Sequence, residues 1–405
     1  MQRSLRSPEA KRGFWLMTLT TVLASFAMFG QQAIVTNFFE NELQLQGSQF
    51  GYITAIREIP GFLIIFLTAL FYRLSLPRLT TLALMTLAVG YALFSIATDF
   101  ATVTPWVILS SMGYHTWLQT QHAMAMSITT EDKSGGILGH VGAWGNLGGL
   151  VAMVLMAIGF YLNILNFASA FWLTGLAAAG AGIAIFNFPS LRDGLPHTVT
   201  AKREPLVYNK DYRFYYMLNL LDGGRQQIFF SFGLWVLAHK YRLDVTQLTI
   251  ILIAVNLIST LIGQQVGDLI DRIGERPMLA AANVLYVVAL IGYSFVDNLW
   301  ILVGCYTIYS IIFPISWMGA NTYLGKIASH NDIAPTIAMG LTMQHVAAIA
   351  VPLATGYILN FYGYQIPFMI AAGFAIVTMV STRFIDPANQ KSAARIAEDA
   401  AKLVA

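Results

Sequence analysis

About twelve long apolar stretches follow one another between residues 13 and 384, and they constrain the fold more than any other feature. Each has about 20 residues or more, which is enough for an α-helix to cross the hydrocarbon core of a bilayer. A backbone in hydrocarbon must satisfy its own hydrogen bonds, so spanning segments of this kind fold as helices. The predicted helices are residues 13–37, 48–72, 79–97, 104–129, 134–161, 165–189, 212–238, 245–270, 277–295, 298–323, 333–360 and 363–384.

The composition excludes a water-soluble globular protein. Hydrophobic residues make up 57% of the 405 residues and charged residues only 11%, and the mean hydropathy is +0.63. Soluble domains carry about 25% charged residues. The single cysteine, Cys305, lies inside an apolar stretch, so no disulfide framework can form. We therefore predict an all-α, multi-pass membrane protein.

The lysines and arginines indicate how the helices are oriented. If each stretch crosses the bilayer once, 19 of the 23 basic residues lie on one side, and only Lys240 and Arg242 lie on the other. Arg57 and Arg225 fall within apolar stretches. Basic residues concentrate on the cytoplasmic side of membrane proteins. We expect both termini to be cytoplasmic and the membrane to be a bacterial-type inner, or plasma, membrane.

The stretches divide into two sets of six. A polar segment rich in proline and charge, residues 190–211, separates an N-terminal bundle at 1–189 from a C-terminal bundle at 212–385, and a cytoplasmic tail follows at 386–405.

Short sequence matches recur between the two halves. Gln31-Gln32 recurs as Gln226-Gln227, and Trp106 recurs as Trp300, at offsets of 194 to 195 residues. Such a repeat predicts two pseudo-symmetric six-helix bundles, an arrangement in which transporters place a binding site between the halves.

One loop motif carries a family resemblance. The segment after the eighth stretch reads Gly-Asp-Leu-Ile-Asp-Arg-Ile-Gly-Glu-Arg over residues 267–276, and it resembles the G-D-x-x-D-R-x-G-x-R signature of the major facilitator superfamily. The resemblance implies twelve transmembrane helices in the major facilitator fold. It also implies that this loop is a conformational latch, formed by Gly267, Asp268, Asp271, Arg272, Gly274 and Arg276.

Four ionisable residues lie inside the predicted spans, where charge is costly and tends to be functional. Arg57 and Glu58 lie in the second span, and Asp222 and Arg225 lie in the seventh. Asp222 and Arg225 are spaced i, i+3 and can meet on one helix face. Arg57 and Glu58 are adjacent, about 100° apart on a helix, so we expect that they cannot pair with each other. Each would then need a partner from another helix, a substrate or water. An ion-pair network that only orders the bundle is the structural alternative for both pairs.

A carboxyl group that is partly removed from water holds its proton more tightly and can exchange it near neutral pH. We therefore predict Asp222 and Glu58 as proton-coupling residues. The predicted substrate-binding residues are Gln32, Arg57, Tyr114, His115, Gln119, Arg225, Gln226, Trp317, Gln344 and His345. Most of them lie on spans that line the central cavity in the major facilitator family, although each could instead bond to a neighbouring helix.

The leading hypothesis is a secondary active transporter that exports a small organic solute by alternating access in exchange for protons. Proton- or ion-coupled import and a non-transporting membrane sensor with the same fold remain alternatives. No phosphate-binding loop, metal-ligand spacing or catalytic constellation is present, so we expect no enzyme activity, cofactor, metal or nucleic-acid partner. The expected partners are a small-molecule substrate, protons or another coupling ion, and the lipid bilayer, with the protein acting as a monomer.

Overall fold

A computed structural model describes residues 8–63, 74–128, 134–189 and 208–404. Within these residues the chain is almost entirely helical. The described α-helices are α1 (Pro8–Asn37), α2 (Gly47–Phe62), α3 (Leu76–Leu93), α4 (Phe100–Met126), α5 (Ser134–Tyr161), α6 (Phe167–Phe186), α7 (Arg213–Tyr241), α8 (Val245–Ile273), α9 (Glu275–Phe295), α10 (Leu299–Ile327), α11 (His330–Tyr362), α12 (Gln365–Ser381) and α13 (Ala393–Val404).

Helices α1 to α12 coincide with the twelve predicted spans, and the predicted all-α membrane fold class is confirmed. The predicted second span extends to residue 72, but its part beyond residue 63 lies outside the described residues. By length and apolar composition, nine of the described helices can cross a membrane.

Two further helices, α4 and α7, are long enough to cross a bilayer but too polar along their length to meet the same criterion. They carry half of the ten predicted substrate-binding residues.

Side-chain hydrogen bonds cap the N-termini of several helices. The Asp99 carboxylate accepts a hydrogen bond from the Thr102 backbone N–H, 2.8 Å away, and the Thr102 hydroxyl completes a capping box at the start of α4. These hydrogen bonds, chiefly the one from the Thr102 backbone, hold the pKa of Asp99 below its ordinary value. Asn166 and Ser169 form the same arrangement before α6. Each cap satisfies N–H groups that a helix start leaves without an internal partner.

The first compact unit contains Met1–Leu45, Ile56–Lys202 and Arg242–Ile253. In it α1 packs on α5 and α6, and α3 packs on α4 and α6. Its core includes a group of phenylalanine rings in which Phe171 contacts Phe38 at 4.7 Å and Phe94 at 5.1 Å between ring centres.

The second compact unit contains Gln46–Ala55, Arg203–Tyr241 and Ala254–Ala405. In it α7 packs on α11 and α12, and α9 packs on α10 and α12. Its core is rich in tyrosine, and Tyr286, Tyr293 and Tyr309 are fully buried. The predicted boundaries of the two bundles remain a prediction, since residues 190–207 of the predicted linker lie outside the described residues.

The tail after α12 folds back onto the second unit as α13. The Arg395 guanidinium donates hydrogen bonds to the carbonyls of Gly325 and Ala328 at 3.3 and 3.2 Å, at the end of α10. Lys391, just before α13, donates a 2.6 Å hydrogen bond to the carboxylate of Asp399 on α13. This bond is the main reason that the pKa of Asp399 is lowered. Cations that reach the last carbonyls of a helix stabilise its C-terminus.

Gly274, between α8 and α9, has a φ of +92° and a ψ of 159°, a conformation that is almost restricted to glycine. A Cβ added there would meet no atom within 4 Å, so a substitution would act through the backbone alone. We expect Gly274→Ala to destabilise the protein by about 1–3 kcal/mol. A thermal unfolding curve of the purified protein in detergent measures this change.

Gly263→Ala is the matched control. Gly263 lies within α8, and a Cβ there would also meet nothing within 4 Å. Alanine is favoured over glycine inside a helix, so this variant should be neutral or slightly more stable. Equal unfolding midpoints for the two variants would contradict the assigned strain at Gly274.

Candidate functional site

Asp222 and Arg225 lie one turn apart on α7 and form an ion pair, as the i, i+3 spacing predicts. The two side chains differ in their access to solvent, since the Arg225 side chain is 1% exposed and that of Asp222 is 14% exposed. The arginine is therefore enclosed by protein, and the carboxylate is the accessible member of the pair.

Three side chains from two other helices enclose the Arg225 guanidinium, and we call them the Arg225 cage: Tyr286 of α9, and Tyr309 and Ser316 of α10. Nη1 donates to the Tyr309 hydroxyl at 3.0 Å, and Nη2 donates to Ser316 Oγ at 3.1 Å. The Tyr286 ring lies under the guanidinium, with its centre 3.4 Å from Cζ. A buried charge is tolerable only when it is paired and hydrogen-bonded. Asp222 supplies the opposite charge, and the cage supplies hydrogen bonds and a cation–π contact.

A second layer of contacts holds the cage in place. The Tyr286 hydroxyl donates to the Ile312 carbonyl at 3.0 Å, and it lies 3.2 Å from Ser316 Oγ. Phe229 of α7 stacks on Tyr309 with 3.6 Å between ring centres. The position of Arg225 is thus fixed by packing from three helices.

A small cavity of about 20 Å³ adjoins this pair within the second unit. Its lining residues are Leu218, Asn219, Asp222, Leu279, Ser316, Trp317, Ala320, Gln344 and Thr378. Asp222 is the one charged residue among them, and the other polar groups are amides, hydroxyls and an indole. The cavity has room for about one water molecule, and its lining offers hydrogen-bond donors and acceptors to a small polar group.

Several predicted residues meet at this cavity. Trp317 and Gln344 line it, and the Gln344 amide nitrogen donates to the Gln226 amide oxygen at 3.0 Å. His345 follows Gln344 on α11 and is partly buried. Asn219 and the three cage residues were not among the predicted site residues. The cage residues were missed because a tyrosine or serine in an apolar stretch gives no signal of its own.

A second cluster lies within the first unit, where α2 meets α4. Arg57 Nη2 lies 3.2 Å from Glu58 Oε1, so these two adjacent residues do pair. The expectation that they could not is wrong, because the long arginine side chain bends back to its neighbour. The His115 ring nitrogen Nε2 lies 4.0 Å from Glu58 Oε2, and Ser111 donates a hydrogen bond to the Arg57 carbonyl.

Burial differs sharply within this second cluster. The side chains of His115 and Glu58 are 9% and 12% exposed, whereas that of Arg57 is 51% exposed. The ring of Tyr114 lies edge-on to that of His115, with 5.1 Å between centres. Glu58 and His115 are therefore a shielded acid–imidazole pair with an accessible cation beside them.

Two predicted substrate-binding residues lie outside both clusters. Gln32 on α1 and Gln119 on α4 are exposed, and neither lines the cavity beside Asp222. Their assignment stays a prediction.

The predicted latch lies at the junction of α8 and α9. All four of its charged residues are exposed: Asp268, Asp271, Arg272 and Arg276. The buried charge at this junction is Glu275, which is 3% exposed and accepts a 2.6 Å hydrogen bond from Lys326 of α10. This ion pair fixes the start of α9 to the end of α10, and the role of the motif as a latch stays a prediction.

The comparisons with known proteins agree with this architecture. Residues 214–405 match the family model of the Major Facilitator Superfamily. The resemblance to that family is therefore confirmed. No curated protein matches the chain by sequence.

Several solved structures share the major facilitator fold of this chain. A mutant of the nucleoside transporter NupG superposes with a TM-score of 0.77 at 14% identity, covering 92% of this chain and 99% of the other. A bacterial homologue of the human lysosomal transporter Spinster, in an inward-facing and unoccupied conformation, gives 0.73 at 11% identity, covering 96% and 99%. The human organic anion transporter MFSD10 gives 0.60 at 14% identity, covering 93% and 100%.

The cage predicts a specific loss of stability. In Tyr309→Phe, Arg225 Nη1 loses its acceptor while the ring that stacks on Phe229 remains. A hydrogen bond to a charged group contributes about 1.5–3 kcal/mol, so the thermal midpoint in detergent should fall by several degrees.

Tyr306→Phe is the control, since Tyr306 is also buried and stacks on Phe229 but does not bond to Arg225. Its effect should be clearly smaller than that of Tyr309→Phe. Similar shifts in both variants would show that the bond to Arg225 does not carry the effect.

Proposed function

We propose that this protein is a secondary active transporter that moves a small organic solute across the membrane in exchange for protons. The observation that carries the proposal is the Asp222–Arg225 pair, in which a caged cation supports a carboxylate at a cavity. The major facilitator fold supports the same proposal, because transporters with that fold are among the structural neighbours of this chain. Fold alone does not decide function, so the argument depends on the site.

The cage suits Asp222 to reversible protonation. When a carboxylate takes up a proton, its ion-pair partner normally becomes an uncompensated buried charge, which is costly. Arg225 would keep its bonds to Tyr309 and Ser316 and its contact with the Tyr286 ring. The cage thus lowers the cost of the neutral state of Asp222, so that proton and substrate can alternate at this residue.

Glu58 in the first unit is the second proposed coupling residue. Its carboxylate is shielded and lies between the His115 imidazole and the Arg57 guanidinium. Imidazole changes charge near neutral pH in ordinary surroundings. The 4.0 Å between His115 Nε2 and Glu58 Oε2 would have to shorten, or one water would have to bridge it, for a proton to pass between the two groups. A pair of this kind suits coupling better than a fixed structural ion pair.

We propose a polar, uncharged substrate with hydrogen-bond donors and a planar or apolar part. Because Arg225 is enclosed, we propose that it supports Asp222, in place of the predicted contact with the substrate. Asp222, Asn219 and Gln344 would accept or donate hydrogen bonds, and Trp317 offers a flat apolar face. The structural neighbours include a nucleoside transporter and an organic anion transporter, and this geometry favours a substrate of the first kind.

Exchange of solute for protons, with export as the physiological direction, is the leading form of this proposal. Proton-coupled import and a sensor that binds without transport are the alternatives. Location in a bacterial-type inner membrane with both termini cytoplasmic also belongs to the proposal, and the excess of basic residues on one side supports it.

The test uses protein reconstituted into liposomes, with a panel of nucleosides, sugars, amino acids, organic cations and organic anions. Solute-driven currents and flux are recorded with a pH gradient in each direction. We expect Asp222→Asn to abolish proton-driven accumulation while exchange of solute for solute continues, because an amide cannot carry the proton. Glu58→Gln should weaken proton-driven accumulation in the same assay.

Glu42→Gln is the matched control, since Glu42 is an exposed carboxylate outside both clusters and should behave like wild type. Unchanged proton-driven transport by Asp222→Asn would refute its coupling role. The gradient direction that drives accumulation separates antiport from symport. A compound that stabilises the wild type but is never transported would support the sensor alternative.

A further inference from the structure

A cleft of about 530 Å³ opens in the second unit, apart from the small cavity at Asp222. Three separate segments line it: the junction of α8 and α9 at residues 273–277, Lys326 at the end of α10, and the stretch between Asp386 and Arg395. Ligand sites in proteins enclose about 300–1,000 Å³, so this cleft has the size of a binding site.

Basic side chains from all three segments meet at this cleft: Arg276, Lys326, Lys391 and Arg395. Two carboxylates, those of Glu275 and Asp386, also line it. The Glu275 side chain is only 4% exposed and lies against Lys326, whereas the Lys326 side chain is 50% exposed. The charge that the cleft presents to solvent is therefore mainly positive.

The internal ion pairs of these cations use only part of their hydrogen-bonding capacity. Lys326 donates to Glu275 at 2.6 Å, and Lys391 donates to Asp399 at the same distance. Arg395 uses Nε for Asp399 and Nη1 for the two carbonyls at the end of α10. An ammonium group has three N–H donors and a guanidinium has five, so all three side chains retain donors for a further acceptor.

Asp386 is the more accessible of the two carboxylates, and it is bonded within its own segment. Its Oδ2 accepts a 2.7 Å hydrogen bond from the Asn389 side chain. Asp386 offsets part of the positive charge, most directly that of Arg276, whose charge acts on it. Three of the four cations then face the cleft without a comparably exposed carboxylate in its lining.

The walls of the cleft are fixed by bonds that leave its basic groups in place. The Tyr323 hydroxyl donates to the Gln390 side chain at 2.8 Å, and the Gln390 amide donates to the Phe384 carbonyl at 2.7 Å. The Ser392 backbone N–H donates to the Ile327 carbonyl at 2.9 Å. These bonds hold the stretch before α13 against α10, so a ligand would meet a preorganised set of cations.

Helix α9 begins at the wall of the same cleft. Gly274 precedes its first residue and has no side chain with which to cap it. The first N–H groups of a helix carry partial positive charge and favour an anion. The helix start therefore adds to the field of the four cations.

We propose that this cleft binds a phosphate group, carried either by an anionic phospholipid headgroup or by a soluble phosphate compound. Arg276 and Arg395 suit this ligand because a guanidinium can bind two phosphate oxygens at once, and Lys326 and Lys391 add positive charge. Basic pockets at the cytoplasmic ends of spanning helices bind anionic headgroups. The site is separate from Asp222, so its occupancy can be tested without any transport assay.

The test measures binding to the full-length protein purified in a nonionic detergent. One titration uses dioctanoyl phosphatidylglycerol, which is anionic, and a second uses inorganic phosphate. We expect saturable binding of at least one probe, weakened about tenfold by Arg276→Gln and by Lys391→Gln, because each variant removes a charged hydrogen-bond donor. The two residues lie in different segments, so a folding defect in one variant leaves the other as a test.

The two titrations also distinguish the sources of the phosphate group. Binding of phosphatidylglycerol with this variant pattern supports a lipid headgroup, and binding of inorganic phosphate alone supports a soluble compound. Dioctanoyl phosphatidylcholine has the same acyl chains but no net charge. Equal affinity for the two lipids would overturn the proposal, because the acyl chains would then account for binding.

Arg272→Gln is the matched control. It removes the same charge from an exposed arginine near the end of α8 that does not line the cleft. This variant should bind the probes as the wild type does. An equal loss in Arg272→Gln would overturn the proposal, since binding would then follow overall charge, and so would the absence of saturable binding of both anionic probes.

Discussion

The burial of one positive charge organises the core of the second unit. Arg225 is almost fully removed from solvent, and an isolated charge in such a place would be very costly. The structure offsets that cost with a carboxylate on the same helix, two hydroxyls and a tyrosine ring from α9 and α10. Three helices are therefore held in register by a single guanidinium, and the accessible cavity forms where this arrangement leaves Asp222 partly uncovered.

The two units differ in which charged group of the internal ion pair is exposed to solvent. In the first unit the cation is half exposed, and the carboxylate and imidazole are the shielded groups. In the second unit the cation is enclosed, and the carboxylate is the accessible group. A pair that served only to order a repeated bundle would be expected at equivalent positions of both halves. These pairs lie on α2 and α7, which are not equivalent in the repeat, and this difference favours a functional role for each cluster.

Much of the architecture could be predicted from sequence because lipid imposes a simple rule on length and hydropathy. The twelve spans and the Asp222–Arg225 contact follow from apolar runs and from helical spacing within one element. The cage could not be predicted, because Tyr286, Tyr309 and Ser316 are separated from Arg225 by tens of residues and resemble ordinary residues of apolar helices. The prediction that Arg57 and Glu58 cannot pair was wrong, because it considered only the 100° between adjacent residues on a helix and not the length of the arginine side chain.

The attachment of α13 also matters for the handling of this protein. Arg395 binds carbonyls at the end of α10, and the same helix carries Tyr309 and Ser316 further along its length. A deletion that begins before residue 395 would leave the last turn of α10 without those bonds, at the far end of a helix that shapes the cavity. Affinity tags and reporter fusions should therefore follow α13 directly, since replacing the tail would alter the scaffold of the binding site.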